Sequence, residues 1–314
     1  MAVQQGTISN TAALINQLRI FFTATLPVSE RWTQLRYNSS AGFEELIVQG
    51  NGTGIDTIIC GFKHYFNSGS ANSEIILQHF DSFNNSNSFE QQIGGIGRFE
   101  NPIALPAITS GTINYWFIGN SRHVKIILKI GTIYHQAYLG FGYPYANPYE
   151  WPNPVIIGGS SLVDFDGVPL KYNQTSFAGL NCFWAPKNAM LGGKFGQVGT
   201  LMIKNTNGSQ RRLINKSDNA YDGLSQGTWP YLEIERNLYG AFNTIAPNAA
   251  NQYHLIPIMI VDDNGAGIYG EFEGMRFAPP VLLPEDTVVV GGETWICFPN
   301  IVGGGLQMVA YRLV

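Results

Sequence analysis

The chain has 314 residues, of which 45% are hydrophobic, 13% aromatic and only 13% charged, with a net charge of −4. Charge is about half the usual share of roughly 25%, and disordered chains are rich in charge and poor in aromatics, so the composition excludes a disordered protein. The densest basic group, Arg211–Arg212 with Lys204 and Lys216, reads as a solvated loop and not as a specific nucleic-acid site.

Many Gly, Asn, Ser, Thr and Tyr residues with little charge suit a β protein with long polar loops. They also suit a subunit that hides surface against neighbours, because interface cores are depleted in charge and enriched in aromatics. Cys60, Cys182 and Cys297 are odd in number and far apart, which fits neither a disulfide framework nor a zinc site. Cys60 and Cys297 stand in apolar runs, where Cys acts as a small buried hydrophobe. No basic region followed by an apolar core opens the sequence, so no signal peptide is expected. No run approaches 18 apolar residues, so no membrane-spanning helix is expected either.

In chain order, residues 9–24 (SNTAALINQLRIFFTA) predict one amphipathic helix. Leu14, Ile15, Leu18, Phe21 and Phe22 form a single stripe, Ser9, Asn10 and Thr11 offer caps, and Pro27 ends the pattern. Trp32–Tyr37 alternates and reads as the first strand. Glu45–Val48, Thr57–Phe62 and Ser73–Phe80 are further strands. The polar run from Asp81 to Gly97 reads as a long loop, of a kind that is usually functional or disordered and can order against a neighbouring subunit. Asn114–Ile118 and His123–Ile130 predict a hairpin turned at Asn120–Ser121, and Thr132–Leu139 continues as a strand. Ile113–Leu139 is expected to form the central sheet.

Pro144, Pro148, Pro152 and Pro154 then break regular pairing, because each lacks an N–H and fixes φ. Tyr143, Tyr145, Tyr149 and Trp151 lie between and beside them. Each would bury a large apolar body while its polar tip finds a partner. The segment reads as an extended belt clamped over a sheet or onto another chain, with Tyr143, Pro144, Tyr145, Pro148, Tyr149, Trp151 and Pro152 as the clamp or subunit-interface residues. Beyond Ser160 the chain turns loop-rich, with short strands at Thr200–Lys204 and Arg212–Ile214. His254–Asp262, Ile268–Phe277, Thr287–Val290, Glu293–Phe298 and Gln307–Leu313 are strands, with a hairpin turn at Gly291–Gly292. The expected fold is mainly β, as antiparallel sandwich- or barrel-like sheets with long loops and one N-terminal helix. Residues 1–160 and 161–314 are set apart as two regions packed into one subunit.

Candidate chemistry is sparse. His64, His79, His123, His135 and His254 have no metal-ligand spacing. Asp262–Asp263–Asn264–Gly265 begins like a calcium loop, but Ala266 supplies no oxygen at the fifth position, so a plain turn is expected. Asp164 and Asp166 alternate on a possible strand. Glu271 and Glu273 also alternate, so both face one side. Side chains two apart on one strand rarely straddle a bond as glycosidase carboxylates must. Gly94–Gly95, Gly158–Gly159 and Gly192–Gly193 lack the strand-to-helix setting of a phosphate loop, and Ser160–Ser161 has no GxSxG frame. No catalytic residue, cofactor or metal is expected.

The segment YHQAYLGFGYPYANPYEWPNPVIIGGSS (Tyr134–Ser161) resembles a signature of virion proteins encoded by tailed bacteriophages and prophages. The preceding INYWFIGNSRHVKIILKIGTIY is similar to the same family, as are RWTQLRY after the helix, IYGEFEGMRFAPP, EDTVVVGGETWICFPNI and the closing YRLV. The likeness spans most of the chain in order and spacing. It implies a non-enzymatic building block of the virion, folded in the bacterial cytoplasm and assembled with copies of itself and with other neck or tail proteins. The implied position is the neck or collar, or the tail tip or baseplate. An alternative is a receptor- or glycan-binding module of the tail, whose exposed Trp and Tyr would stack on host surface sugars. A polysaccharide-degrading enzyme is the third reading.

Overall fold

The computed structural model describes residues 1–40, 43–51, 57–66, 72–94, 103–108, 110–144, 155–159, 189–191, 194–196, 201–204, 210–213, 227–229, 254–262, 267–278, 282–299 and 308–313. The chain opens with a strand that the sequence reading passed over, β1 (Ala2–Ile8). Its AVQQGTI pattern is only half-buried, so it lacks a strong apolar alternation. Helix α1 (Thr11–Ile20) follows, capped by Asn10, whose Oδ1 accepts from the Ala13 N–H at 2.8 Å. The helix widens into a π turn at Phe21–Thr25.

Five strands then pair in chain order: β2 (Thr33–Ser40), β3 (Phe43–Asn51), β4 (Thr57–Phe66), β5 (Asn72–Phe80) and β6 (Ile103–Ile108). Strand β6 is a strand that the sequence analysis does not predict, and it contains Pro106. As an edge strand it can carry a proline. The polar run after β5 orders, over residues 81–94, against its own chain. Arg36 Nη2 donates to the carbonyls of Asn84, Asn85 and Asn87, and Gln92 is buried among its own loop's backbone groups.

Next come β7 (Ile113–Gly119), β8 (His123–Ile130), β9 (Ile133–Phe141), the two-residue β10 (Tyr143–Pro144) and β11 (Val155–Gly159). After these, β12 (Ala189–Leu191) and β13 (Lys194–Gly196) form a small ladder of their own. The last strands are β14 (Leu201–Lys204), β15 (Gln210–Leu213), β16 (Gly227–Trp229), β17 (Ile256–Asp262), β18 (Gly267–Ala278), β19 (Thr287–Val290), β20 (Glu293–Pro299) and β21 (Met308–Arg312). A central sheet has the order β1-β7-β8-β9-β11-β14-β15, and an outer sheet has β16-β17-β18-β21-β20-β19 with β10 attached to β18. The central sheet therefore takes strands from both sides of residue 160. Gly291 and Gly292, with φ of 62° and 86°, turn the β19–β20 hairpin; two successive positive φ values suit the tight hairpin turns that match strand twist.

The layers follow from strand periodicity. Side chains alternate faces along a strand. Tyr115, Phe117, Ile126, Leu128 and Leu139 face the five-stranded sheet and the helix. Trp116, Ile118, Ile127, Tyr134 and Tyr138 face the outer sheet. The central sheet is thus covered on both sides, which is why HVKIILKI is buried almost throughout, His123 and Lys125 included. The expectation of a central sheet at Ile113–Leu139 is met. Between the first two layers, Phe21 meets Phe117 with ring centroids 5.8 Å apart, and Phe22 meets Trp32 at 4.7 Å and Phe62 at 5.7 Å. The π turn lets both consecutive phenylalanines bury fully, one toward each sheet. The result is a three-sheet antiparallel β-sandwich with one α-helix among the described residues.

Candidate functional site: a charged cleft at a break in the outer sheet

Strand β18 is irregular, and the irregularity builds the site. From Pro257 to Met259, β17 advances two residues while β18 runs five, from Arg276 back to Glu271. The extra length is a bulge, a feature that re-aims side chains and is common beside functional sites. On its other edge β18 pairs with β10 at Gly270 and Glu271 and with β21 from Met275 onward. Phe272–Gly274 therefore have no ladder partner on that edge among the described residues. A cleft of about 570 Å³ opens there, lined by Arg122, Tyr143, Pro144, Glu271, Glu273, Gly274, Arg276 and Arg312. Volumes of about 300–1,000 Å³ are usual for small-molecule sites.

The far wall is the turn between β7 and β8. Asn120 Oδ1 accepts from the N–H groups of Arg122 at 2.8 Å and His123 at 3.2 Å, fixing the turn. Its Nδ2 donates to Glu273 Oε1 at 3.1 Å, and Arg122 Nε donates to Glu273 Oε2 at 3.3 Å. His123 Nδ1 lies 3.6 Å from the same carboxylate, an ion-pair distance too long for a hydrogen bond. The His123 ring stacks on Tyr138, 5.3 Å between centroids, and the Tyr138 hydroxyl donates to the Phe141 carbonyl at 2.5 Å. Glu271 pairs with Arg276 Nη1 at 3.1 Å, and Arg312 Nη1 pairs with Glu293 at 2.7 Å.

Lys125 lies beneath this cleft, fully buried. Its ammonium donates to the Gly274 carbonyl at 3.2 Å and stands 3.7 Å from Met1 Sδ. Burial pulls Lys125 down to about 7, helped by the charges of Arg312 and Arg276 and opposed by Glu273. Burial likewise pulls His123 down to about 4, with Lys125 and Arg122 adding to the effect. Burial alone would raise the Glu273 carboxyl, but its His123 contact and the surrounding positive charges hold it well below the usual carboxylate range. At neutral pH the His123 imidazole is uncharged, so Arg122 and Lys125 supply the positive field that Glu273 feels.

Glu271 and Glu273 do share one side, as their spacing predicts. Each is engaged by an arginine, and Glu273 is held in its charged form. A glycosidase general acid needs a raised pKa, and Glu273 has the opposite. The cleft is arranged to hold polar and charged groups.

Of the expected clamp residues, the structure places Tyr143 and Pro144 on the cleft rim, with Tyr143 55% exposed. These two residues do pair, with Glu271 and Gly270, so the proline-rich segment begins with a short regular bridge that the sequence reading denied it. Tyr145, Pro148, Tyr149, Trp151 and Pro152 lie outside the described residues, as do Asp164, Asp166, Ser160–Ser161, Cys182 and most of the DDNG turn. His64 meets Glu44 at 2.8 Å, and His79 and His135 are buried. No group of metal-ligating side chains occurs among the described residues. Cys60 and Cys297 are buried free thiols, both pushed up by burial, Cys297 to about 12. Lys125, Arg122, Arg276 and Arg312 were not foreseen. The available signal was Lys125 set between Val124 and Ile126 on the strand His123–Ile130.

The fold and the cleft define a class: a three-sheet antiparallel β protein with a mixed arginine–glutamate cleft where its outer sheet is broken. The chain matches no protein-family model and no curated protein.

Proposed function

We propose that the chain is a non-enzymatic structural subunit of a tailed-phage virion, assembled with copies of itself and with other neck or tail proteins into a ring or layer. The position is the neck or collar, or the tail tip or baseplate. The observation that carries this reading is the central sheet, buried on both faces between two further sheets. Such a doubly covered scaffold resists deformation. The resemblance of Tyr134–Ser161 and its flanking segments to phage and prophage virion proteins supports the same reading, as does the low charge expected of a surface covered by neighbours.

The test is to follow the subunit itself. Purified protein analysed by light scattering and electron microscopy is expected to form rings, and washed virions should contain it at fixed stoichiometry. A stable monomer that is absent from washed virions overturns the reading.

A further inference from the structure

We infer that the cleft between β10, β18 and β21 is a binding site for an acidic sugar residue, whose carboxylate sits between Arg276 and Arg312 and whose ring lies against Tyr143. The lining carries the argument. Arg276 opposite Ala310 places Arg312 as its diagonal neighbour on the same face. Diagonal positions are ~7–8 Å apart, close enough for two guanidinium groups to converge on one carboxylate. Each arginine uses only Nη1, Arg276 for Glu271 and the Met275 carbonyl and Arg312 for Glu293. Nε and Nη2 of both have no hydrogen-bond partner among the described residues, and the Arg276 guanidinium lies over the Trp295 ring, 5.7 Å from its centroid. Planar guanidinium forks match a carboxylate with two donors.

Charge counting points the same way. Among the described residues, Arg122, Arg276, Arg312 and Lys125 face Glu271, Glu273 and Glu293 in and around the cleft, four cationic groups against three carboxylates when Lys125 is protonated. Lys125 is fully buried with three donors, yet its partners are one carbonyl and one thioether. One added negative charge balances the set. A bare acidic side chain would satisfy the arginines but would bring no donor to Glu273, whose partly exposed carboxylate lines the same cleft. A sugar acid brings hydroxyl donors for that carboxylate, and the Tyr143 ring, 55% exposed, offers a face on which its C–H groups can stack. The site rests on this chain alone, so its failure would leave the assembly reading standing.

The experiment titrates the full chain with glucuronate, glucose and inorganic phosphate, followed by calorimetry or protein-detected NMR, with thermal unfolding as the check that variants fold. Glucuronate is expected to bind saturably with Kd on the order of 1 mM, and both glucose and phosphate at least tenfold more weakly. Arg312→Gln, at a partly exposed position, should weaken glucuronate at least tenfold, and Tyr143→Ala severalfold. Failure of glucuronate to saturate overturns the proposal. So does phosphate binding as tightly as glucuronate, which would mark a simple oxyanion site, or affinity unchanged in both variants. Should Arg312→Gln not fold, the ligand ranking on the unmodified chain and Tyr143→Ala still decide.

Discussion

The ammonium of Lys125 donates to the main-chain carbonyl of Gly274 across 3.2 Å, joining the central sheet to the bulge of the outer one. A Cβ on Gly274 would stand 2.5 Å from Nζ, and the residue has φ of +66°. Glycine is therefore required twice, for its backbone conformation and for the space that the ammonium fills. Gly274→Ala should destabilise the protein by ~1–3 kcal/mol from backbone strain alone, with further loss if Lys125 is displaced. Chemical denaturation reads this directly, and a loss under about 0.5 kcal/mol, typical of surface sites, would show that the contact is slack.

Lys125 should leave a signature in alkaline stability. Its folded pKa is lowered to about 7 from an ordinary value of 10.5. Below pH 7 both states hold the proton, and the cost of burying the charge is carried in full. Above 7 the folded lysine releases a proton that the unfolded one keeps, so stability rises with pH, with a slope approaching one proton, or ~1.4 kcal/mol per pH unit. The clean window is about pH 7 to 8, because the buried thiols Cys60 and Cys297 oppose the trend as their unfolded forms ionise. Lys125→Met should flatten the slope in that window. The same slope in both proteins would mean that Lys125 does not titrate there.

Much of the fold was legible because burial on a sheet face writes alternation into the sequence. The β7–β8 hairpin, the β19–β20 turn and the helix stripe all stand where their residues predict. What escaped notice has physical reasons. β1 is half-buried and polar, so it carries no period-two signal. β6 contains Pro106, tolerable only because that strand lies at an edge. The three Ile and Val residues that open β11 make too short a run to separate from the belt before them. The cleft was less legible than the fold, since it depends on a bulge that shifts β18 against β17. No local pattern announces that Glu273 will meet Asn120, Arg122 and His123 from a distant turn. The two carboxylates were visible as a pair; their arginine partners were not.

Glu273 ties that pair of sheets together electrostatically. Its carboxylate serves Asn120 and Arg122 directly and offsets the charge on Lys125. Glu273→Gln keeps the shape but removes the charge that faces the partly buried Arg122. Breaking one side of a buried pair typically costs ~3–5 kcal/mol, and partial exposure of both groups lowers the expectation to ~2–3 kcal/mol. Lys125 should also lose its proton more readily, so the alkaline slope should begin at lower pH in this variant. Equal stability of Glu273→Gln and the parent across pH 6 to 8 would rule this linkage out.

Acid should unfold the protein through its buried histidines. Burial lowers His135 to about 3 and His123 to about 4, and among the described residues His135 has no hydrogen-bond partner at either nitrogen. At pH 7 both are neutral in either state. As pH falls from 6.5 toward 4, the unfolded imidazoles take up protons that the folded ones refuse, so stability is lost with a slope of up to two protons, ~2.7 kcal/mol per pH unit. His135→Leu should remove about half of that slope. It should also raise stability at neutral pH by ~1–2 kcal/mol, because two buried nitrogens without partners disappear. Urea titrations at pH 7, 6 and 5 measure both effects. A variant that keeps the full acid slope, or that is less stable than the parent at pH 7, would mean that the His135 ring has polar company and belongs to the packing as it stands.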